Sequence, residues 1–227
     1  MRVKGVNSVN SVLVTGANRG IGLELCRQLV KRGEEVTAVC RSSSESLEHL
    51  GVDIVAGIDV SDGGSVAEMA NLFKGRQFDW LMNNAGILSR EGLDDLDFEA
   101  MERQFRVNSL GPLRVTKALS DNLVSGSKVG IVTSRMGSLA DNSSGGYYGY
   151  RMSKAAVNIA GVSLARDLHS RGIAVGLIHP GMVATDMTAN SGVPVPHAVA
   201  GLIQRMDELN LENTGSFWHA EGELLPW

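Results

Sequence analysis

The chain is short of the features that would place it in several broad classes. Its 227 residues include only two cysteines, Cys26 and Cys40, too few for a disulfide framework and without the paired spacing of a zinc site. Both read as small core residues. The five histidines, at 49, 169, 179, 197 and 219, show no metal-ligand spacing either. No apolar run approaches the roughly 20 residues needed to cross a bilayer. The N-terminus carries Arg2 and Lys4 but no apolar stretch of a secretory signal, so a cytoplasmic location is expected. A net charge of -4 without a Lys/Arg tract offers no surface for following nucleic-acid phosphates. No Pro/Gly/Ser linker or low-complexity segment divides the chain. One domain over residues 1–227 is expected, with residues 1–10 as a loose N-terminal segment.

What is present is a regular alternation of apolar runs and amphipathic stretches. Short Val/Ile-rich runs predict strands at residues 12–14, 36–40, 52–58, 78–82, 128–133, 173–178 and 216–219. Between them, Ile21, Leu25 and Leu29 recur every four residues with Cys26 and Val30 beside them, a core-facing helix stripe that Gly33 is placed to end. Further helices are expected at 65–73, 96–119, 150–170 and 197–210. Such alternation predicts an α/β fold: a doubly wound, mainly parallel sheet of the Rossmann type, with about seven strands and helices on both faces. Ligands of such sheets bind beyond the carboxyl ends of the strands.

The segment Thr15-Gly16-Ala17-Asn18-Arg19-Gly20-Ile21-Gly22 follows the first strand and opens the first helix. Gly16 suits a tight turn, Gly20 lets backbone approach a pyrophosphate, and Gly22 permits close helix packing at a helix N-terminus that favours anions. The spacing differs from G-x-G-x-x-G, and the Lys-Ser/Thr ending of a triphosphate-binding loop is missing. An ordinary glycine loop is the plainer alternative. Arg19 lies in the turn and Arg41 just after the second strand, which no acidic residue ends. Guanidinium groups there favour a 2′-phosphate over a free hydroxyl, so NADPH/NADP+ is expected rather than NADH.

Tyr150 and Lys154 stand four residues apart, one turn of a helix. An ammonium and an oxidised nicotinamide ring beside a phenol would both favour the phenolate, fitting Tyr150 for acid/base work during hydride transfer. Tyr147 and Tyr148 compete for that role. Their i+4 partners are Arg151, fixed in charge, and Met152, and both rings are expected as pocket walls.

These motifs, with Asp59-Val60, Asn83-Asn84-Ala85-Gly86, Asn108, Thr133-Ser134 and Pro180-Gly181 followed by Thr185, make the chain resemble the classical short-chain dehydrogenases/reductases from about Val12 onward. The resemblance is to their small carbonyl-reductase and C-factor-like branch. It implies that Asp59 and Val60 flank the adenine, and that Asn84, Ala85 and Gly86 pass beneath the cofactor. It also implies that Pro180, Val183 and Thr185 meet its nicotinamide end. Asn108 would organise a water relay to Lys154, and a serine would polarise the substrate oxygen. Ser134 matches that serine because the strand delivers it to the sheet edge. Ser138 competes, since the interval to Tyr150 is longer than the family's usual one. Taken singly, Asp59 ending a strand, Asn83 and Asn84 in a turn, and Thr185 capping a helix are credible structural readings.

The expected partner is a small carbonyl or alcohol substrate, with neither nucleic acid nor membrane. A homo-oligomer, dimer or tetramer, is left open. Leu88, Met136, Tyr147, Met182 and Met187 are candidate pocket walls, and residues 187–196 a candidate lid. The alternative function is an NADP(H)-binding signalling or regulatory protein of the same fold. A sugar-nucleotide epimerase shares Tyr-x3-Lys but needs a longer C-terminal substrate region, and no G-x-S-x-G elbow supports a hydrolase.

Overall fold

Val12 and Val14 point to one side of their strand and Leu13 to the other, and all three are fully buried, as in a strand covered on both faces. The computed structural model describes residues 9–227. Its strands are β1 (Ser11–Thr15), β2 (Glu35–Val39), β3 (Asp53–Val55), β4 (Phe78–Asn83), β5 (Leu123–Val132), β6 (Ala174–His179) and β7 (Phe217–His219). They form one sheet in the order β3-β2-β1-β4-β5-β6-β7, every neighbouring pair parallel. The order reverses between β1 and β4, opening a crevice at their carboxyl ends.

Helices cover both faces. On one lie α1 (Gly20–Lys31), the short α2 (Glu45–Glu48) and, from the far end of the chain, α7 (Val195–Glu208). Leu25 and Leu29 of α1 meet Leu202 and Met206 of α7 in one core with Val12, Val14, Trp80 and Met82. The opposite face takes α3 (Gly63–Leu72), α4 (Phe98–Phe105), α5 (Gly111–Ala118) and α6 (Tyr148–His169). Its core includes Val66, Met69, Val115 and Val157 against Leu13, Leu81, Val129 and Val175. Truncating any one of these leucines to alanine would cost about 2–5 kcal/mol.

The expected elements are present with four differences. The helix foreseen over 96–119 is broken: a π-helical turn, Arg106–Leu110, separates α4 from α5. Pro112 carries no N–H for the carbonyl of Asn108, four residues before it, so a regular helix cannot run through. The strand expected at 52–58 stops at Val55, where Gly57 turns left-handed (φ 84°) and bonds back to the Arg41 carbonyl. α2 was not foreseen; Ser44 caps it by accepting from Leu47 N–H. The lid candidate 187–196 is in part ordered structure, a 3-10 turn at Asp186–Thr188 and the first residues of α7.

Residues 1–8 of the expected loose segment lie outside the described residues. Asn10 is not loose, because Glu34 accepts hydrogen bonds from both its backbone and its amide. No helix among the described residues is long and apolar enough to cross a membrane.

Candidate active site

The turn after β1 is locked to the end of β4 by side chains from both. Thr15 Oγ1 donates to the Met82 carbonyl (3.4 Å) and accepts from the N–H groups of Asn84 (3.1 Å) and Ala85 (3.2 Å). The Asn84 amide donates to the carbonyls of Thr15 (3.0 Å) and Gly16 (3.2 Å). Packing is closest at Gly22, where a Cβ would come within 2.6 Å of Asn84 Nδ2. Gly20 differs, for the nearest atom to its missing Cβ is Thr185 Cγ2 at 3.5 Å, an ordinary contact. α1 begins there with no side-chain cap. The N–H groups of its first turn therefore have no acceptor from a side-chain cap, as a helix start suited to an anion requires.

The other cofactor candidates lie at or beyond the carboxyl ends of the strands. Asn18 is fixed through its carbonyl, which accepts from Ser44 Oγ (2.8 Å), and Ile21 is half-buried. Arg19 reaches across to Asp186 (3.4 Å), both side chains being exposed. Arg41 is exposed just beyond β2, and two residues on the Ser43 hydroxyl is buried without a partner. Asp59 accepts from the Ser61 hydroxyl (2.7 Å) and N–H (2.8 Å). The Ser61 hydroxyl bond holds its carboxyl below the usual range, with Arg41 adding to the effect. Val60 is buried against Gly111. Pro180 and Val183 are buried, Val183 bridging to Val193. Thr185 also caps the Asp186–Thr188 turn, as its plainer reading foresaw.

Beyond β5, Ser134 stands beside Tyr150, its hydroxyl pulling the phenol's pKa down. Ser138 is engaged elsewhere, accepting from Asp141 N–H (3.1 Å) within its loop. Lys154 is 5% exposed, its Nζ donating to the Val132 carbonyl (3.0 Å) and lying 5.6 Å from the centre of the Tyr150 ring. Desolvation lowers the ammonium to about 8. It also pushes the phenol up to about 12, against a downward pull from Ser134. The expectation that Lys154 draws the phenol down is thereby corrected for the protein alone, where loss of water outweighs other influences.

Asn108 sits in the π-helical turn with its side-chain amide bonded on both sides. Oδ1 accepts from Ile87 N–H (2.9 Å), and Nδ2 donates to the Ile87 carbonyl (2.9 Å) and Ser153 Oγ (3.0 Å). The backbone carbonyl of Asn108 has no N–H to accept from at Pro112, four residues on. Gly86 lies between Asn108 and Lys154. His179 packs against His219, ring centres 5.1 Å apart, and burial drives its basicity down to about 3. Sequence reading missed the roles of Thr15, Ser153 and Ser44 in holding this site. Each is a small hydroxyl residue whose partners lie far along the chain, and only the Thr15-Gly16 motif gave a signal. Among the described residues no cluster of His, Cys, Asp and Glu is arranged to hold a metal.

Comparison with known proteins places the fold in a family. The family model described as short chain dehydrogenase matches residues 10–194. A Rhodococcus protein named 1-hydroxy-2-glutathionyl-2-methyl-3-butene dehydrogenase is 42% identical over 226 residues, covering 96% of this chain and all of that one. The C-signal protein of Myxococcus xanthus is 46% identical over 153 residues, 66% of this chain and 92% of its own. Among solved structures, an NADPH-bound carbonyl reductase from chicken fatty liver superposes with a TM-score of 0.88 at 29% identity, covering 97% of this chain and 100% of the other. By sequence and by fold, the chain belongs to the short-chain dehydrogenase family of oxidoreductases, in its carbonyl-reductase branch.

Proposed function

We propose that the protein interconverts a carbonyl compound and its alcohol with NADPH/NADP+, Tyr150 acting as the acid/base. One arrangement carries this reading: Tyr150 stands beside Ser134 beyond β5, one helical turn from buried Lys154. When bound, NADPH supplies the hydride. Ser134 orients the substrate oxygen. Tyr150 gives that oxygen its proton in reduction and takes it back in oxidation. Lys154 would hold the nicotinamide ribose and pass protons to water positioned by Asn108. A phenol near 12 needs more positive charge beside it to work at neutral pH, which an oxidised nicotinamide ring would add.

The candidate residues fit the cofactor. Gly16, Asn18, Gly20, Ile21 and Gly22 would carry the pyrophosphate on the uncapped start of α1, and Arg19 would join them on leaving Asp186. Asp59 and Val60 would flank the adenine, Asn84, Ala85 and Gly86 would lie beneath, and Pro180, Val183 and Thr185 would meet the nicotinamide. Preference for NADPH is supported by exposed Arg41, by the orphaned Ser43 hydroxyl beside it and by an NADPH-bound structural relative.

A panel of aldehydes, ketones and alcohols, including a hydroxyalkyl conjugate of glutathione, tests the reading by NADPH absorbance with NADH in parallel. The expected outcome is turnover with a catalytic efficiency at least about tenfold higher for NADPH. Tight NADPH binding without turnover across the panel would instead favour a signalling or regulatory role, for which the similarity to C-signal is the specific support. Equal efficiency with NADH would remove the argument from Arg41.

A further inference from the structure

Tyr150 lies in the first turn of α6, and that turn has no side-chain cap. Helix starts of this kind fray, because their first N–H groups lack partners within the helix. A proton donor cannot tolerate such motion, for acid/base geometry must hold within about 0.5 Å. Something else must keep this end of α6 in place.

The residues before it have an uncommon backbone. Gly145, Gly146 and Tyr147 are left-handed in succession, with φ of 62°, 64° and 52°. A tyrosine adopts that conformation only where its surroundings impose it. The imposing groups are identifiable. Arg151 reaches back along its own helix, Nε donating to the Gly146 carbonyl (3.1 Å) and Nη2 to the Gly145 carbonyl (3.2 Å) and Ser144 Oγ (2.9 Å). From the other side, the Glu91 carbonyl accepts from Tyr147 N–H (2.8 Å). Glu91 is itself 4% exposed, with its carboxylate bound by the Ser89 hydroxyl and by the Gln104 amide (2.9 Å) of α4. α4 also presses on the turn directly, since a Cβ on Gly149 would stand 2.7 Å from Met101 Cγ.

We propose that Arg151 is a positioning residue: with the Glu91 carbonyl it clamps the left-handed turn at 145–147 and so holds Tyr150, in the uncapped start of α6, against Ser134. The inference rests on Tyr150 being the acid/base. A guanidinium suits the task because its planar fork serves several acceptors at once, whereas an ammonium on a flexible stem does not. Arg151 touches neither cofactor nor substrate in this role and acts through the helix start alone.

The test uses the full-length protein as Arg151→Ala and Arg151→Lys, with Tyr150→Phe as control, assayed on whichever carbonyl compound the wild type reduces. Both Arg151 variants are expected to lose about tenfold or more in kcat while KM for NADPH changes less than twofold. Hydrogen exchange at residues 148–151 should accelerate while exchange elsewhere in α6 stays as it was. Added guanidinium should restore part of the kcat of Arg151→Ala, and methylammonium should not. The proposal is overturned if either variant keeps wild-type kcat while Tyr150→Phe is inactive, or if kcat falls only in step with melting temperature and guanidinium restores nothing. Should Arg151→Ala fail to fold, Arg151→Lys, which keeps stem and charge, decides through its kcat and exchange. Residual wild-type turnover in Tyr150→Phe would instead defeat the acid/base reading, whatever Arg151 does.

Discussion

Two helices begin at the site, α1 and α6, and neither start carries a side-chain cap. The same omission serves opposite ends. At α1 the turn is rigid, fixed by Thr15 and Asn84, and the first N–H groups have no side-chain cap. At α6 the free start faces a left-handed turn gripped by Arg151 and Glu91. One start leaves its donors for an anion, and the other is immobilised for the sake of the side chain it carries. An uncapped helix therefore indicates function only once the groups around it show what replaces the cap.

The α1 side should break most severely. Gly22→Ala places a Cβ against Asn84 and the Gly16 carbonyl, and a loss of about 3 kcal/mol or more with no detectable NADPH binding is expected from thermal melts and titration. Gly20→Ala sharpens the contrast, since its Cβ meets nothing nearer than 3.5 Å. There the cost is the left-handed φ, about 1 kcal/mol, with binding weakened by the added Cβ.

On the α6 side, Ser134→Ala should lower kcat about a hundredfold, while Ser138→Ala, whose hydroxyl serves its own loop, should stay within about threefold. Parallel steady-state kinetics decide between them. A larger loss at Ser138 would reverse the assignment.

A further effect concerns pH. Lys154 titrates near 8 in the folded protein and at 10.5 without its surroundings, so its charged form opposes folding at neutral pH. Between about 8 and 10.5 the unfolded chain holds the extra proton, and stability rises with pH. Tyr150, raised from 10.0 to about 12, acts in the reverse sense, its contribution falling as pH climbs through that range. Lys154→Met should accordingly be more stable than wild type at pH 7, by on the order of 2 kcal/mol, with the gap closing toward pH 10. Denaturant unfolding at the two pH values checks it; an equal gap at both would mean that desolvation is not the cause.

Legibility in the sequence follows the same division. The β1–α1 turn could be read because its parts are contiguous: an apolar strand, Gly16, Gly20 and Gly22, then the Leu25 and Leu29 stripe. Parallel order followed from alternation, and Tyr150 and Lys154 from helical spacing. The break at Asn108 stood in the sequence as Gly111-Pro112 and was passed over because apolar periodicity continues on both sides. Arg151 was set aside as a fixed charge, since nothing local tells that its partners are backbone carbonyls in a left-handed turn. The raised phenol was equally hidden, because burial depends on how α6 packs against β5 and on nothing nearby in the chain.

The most direct measurement is turnover of Tyr150→Phe beside its affinity for NADPH. The expected result is an affinity within about threefold of wild type and a kcat reduced at least about a hundredfold. A variant that still converts its carbonyl substrate at the wild-type rate would show that the proton comes from another group.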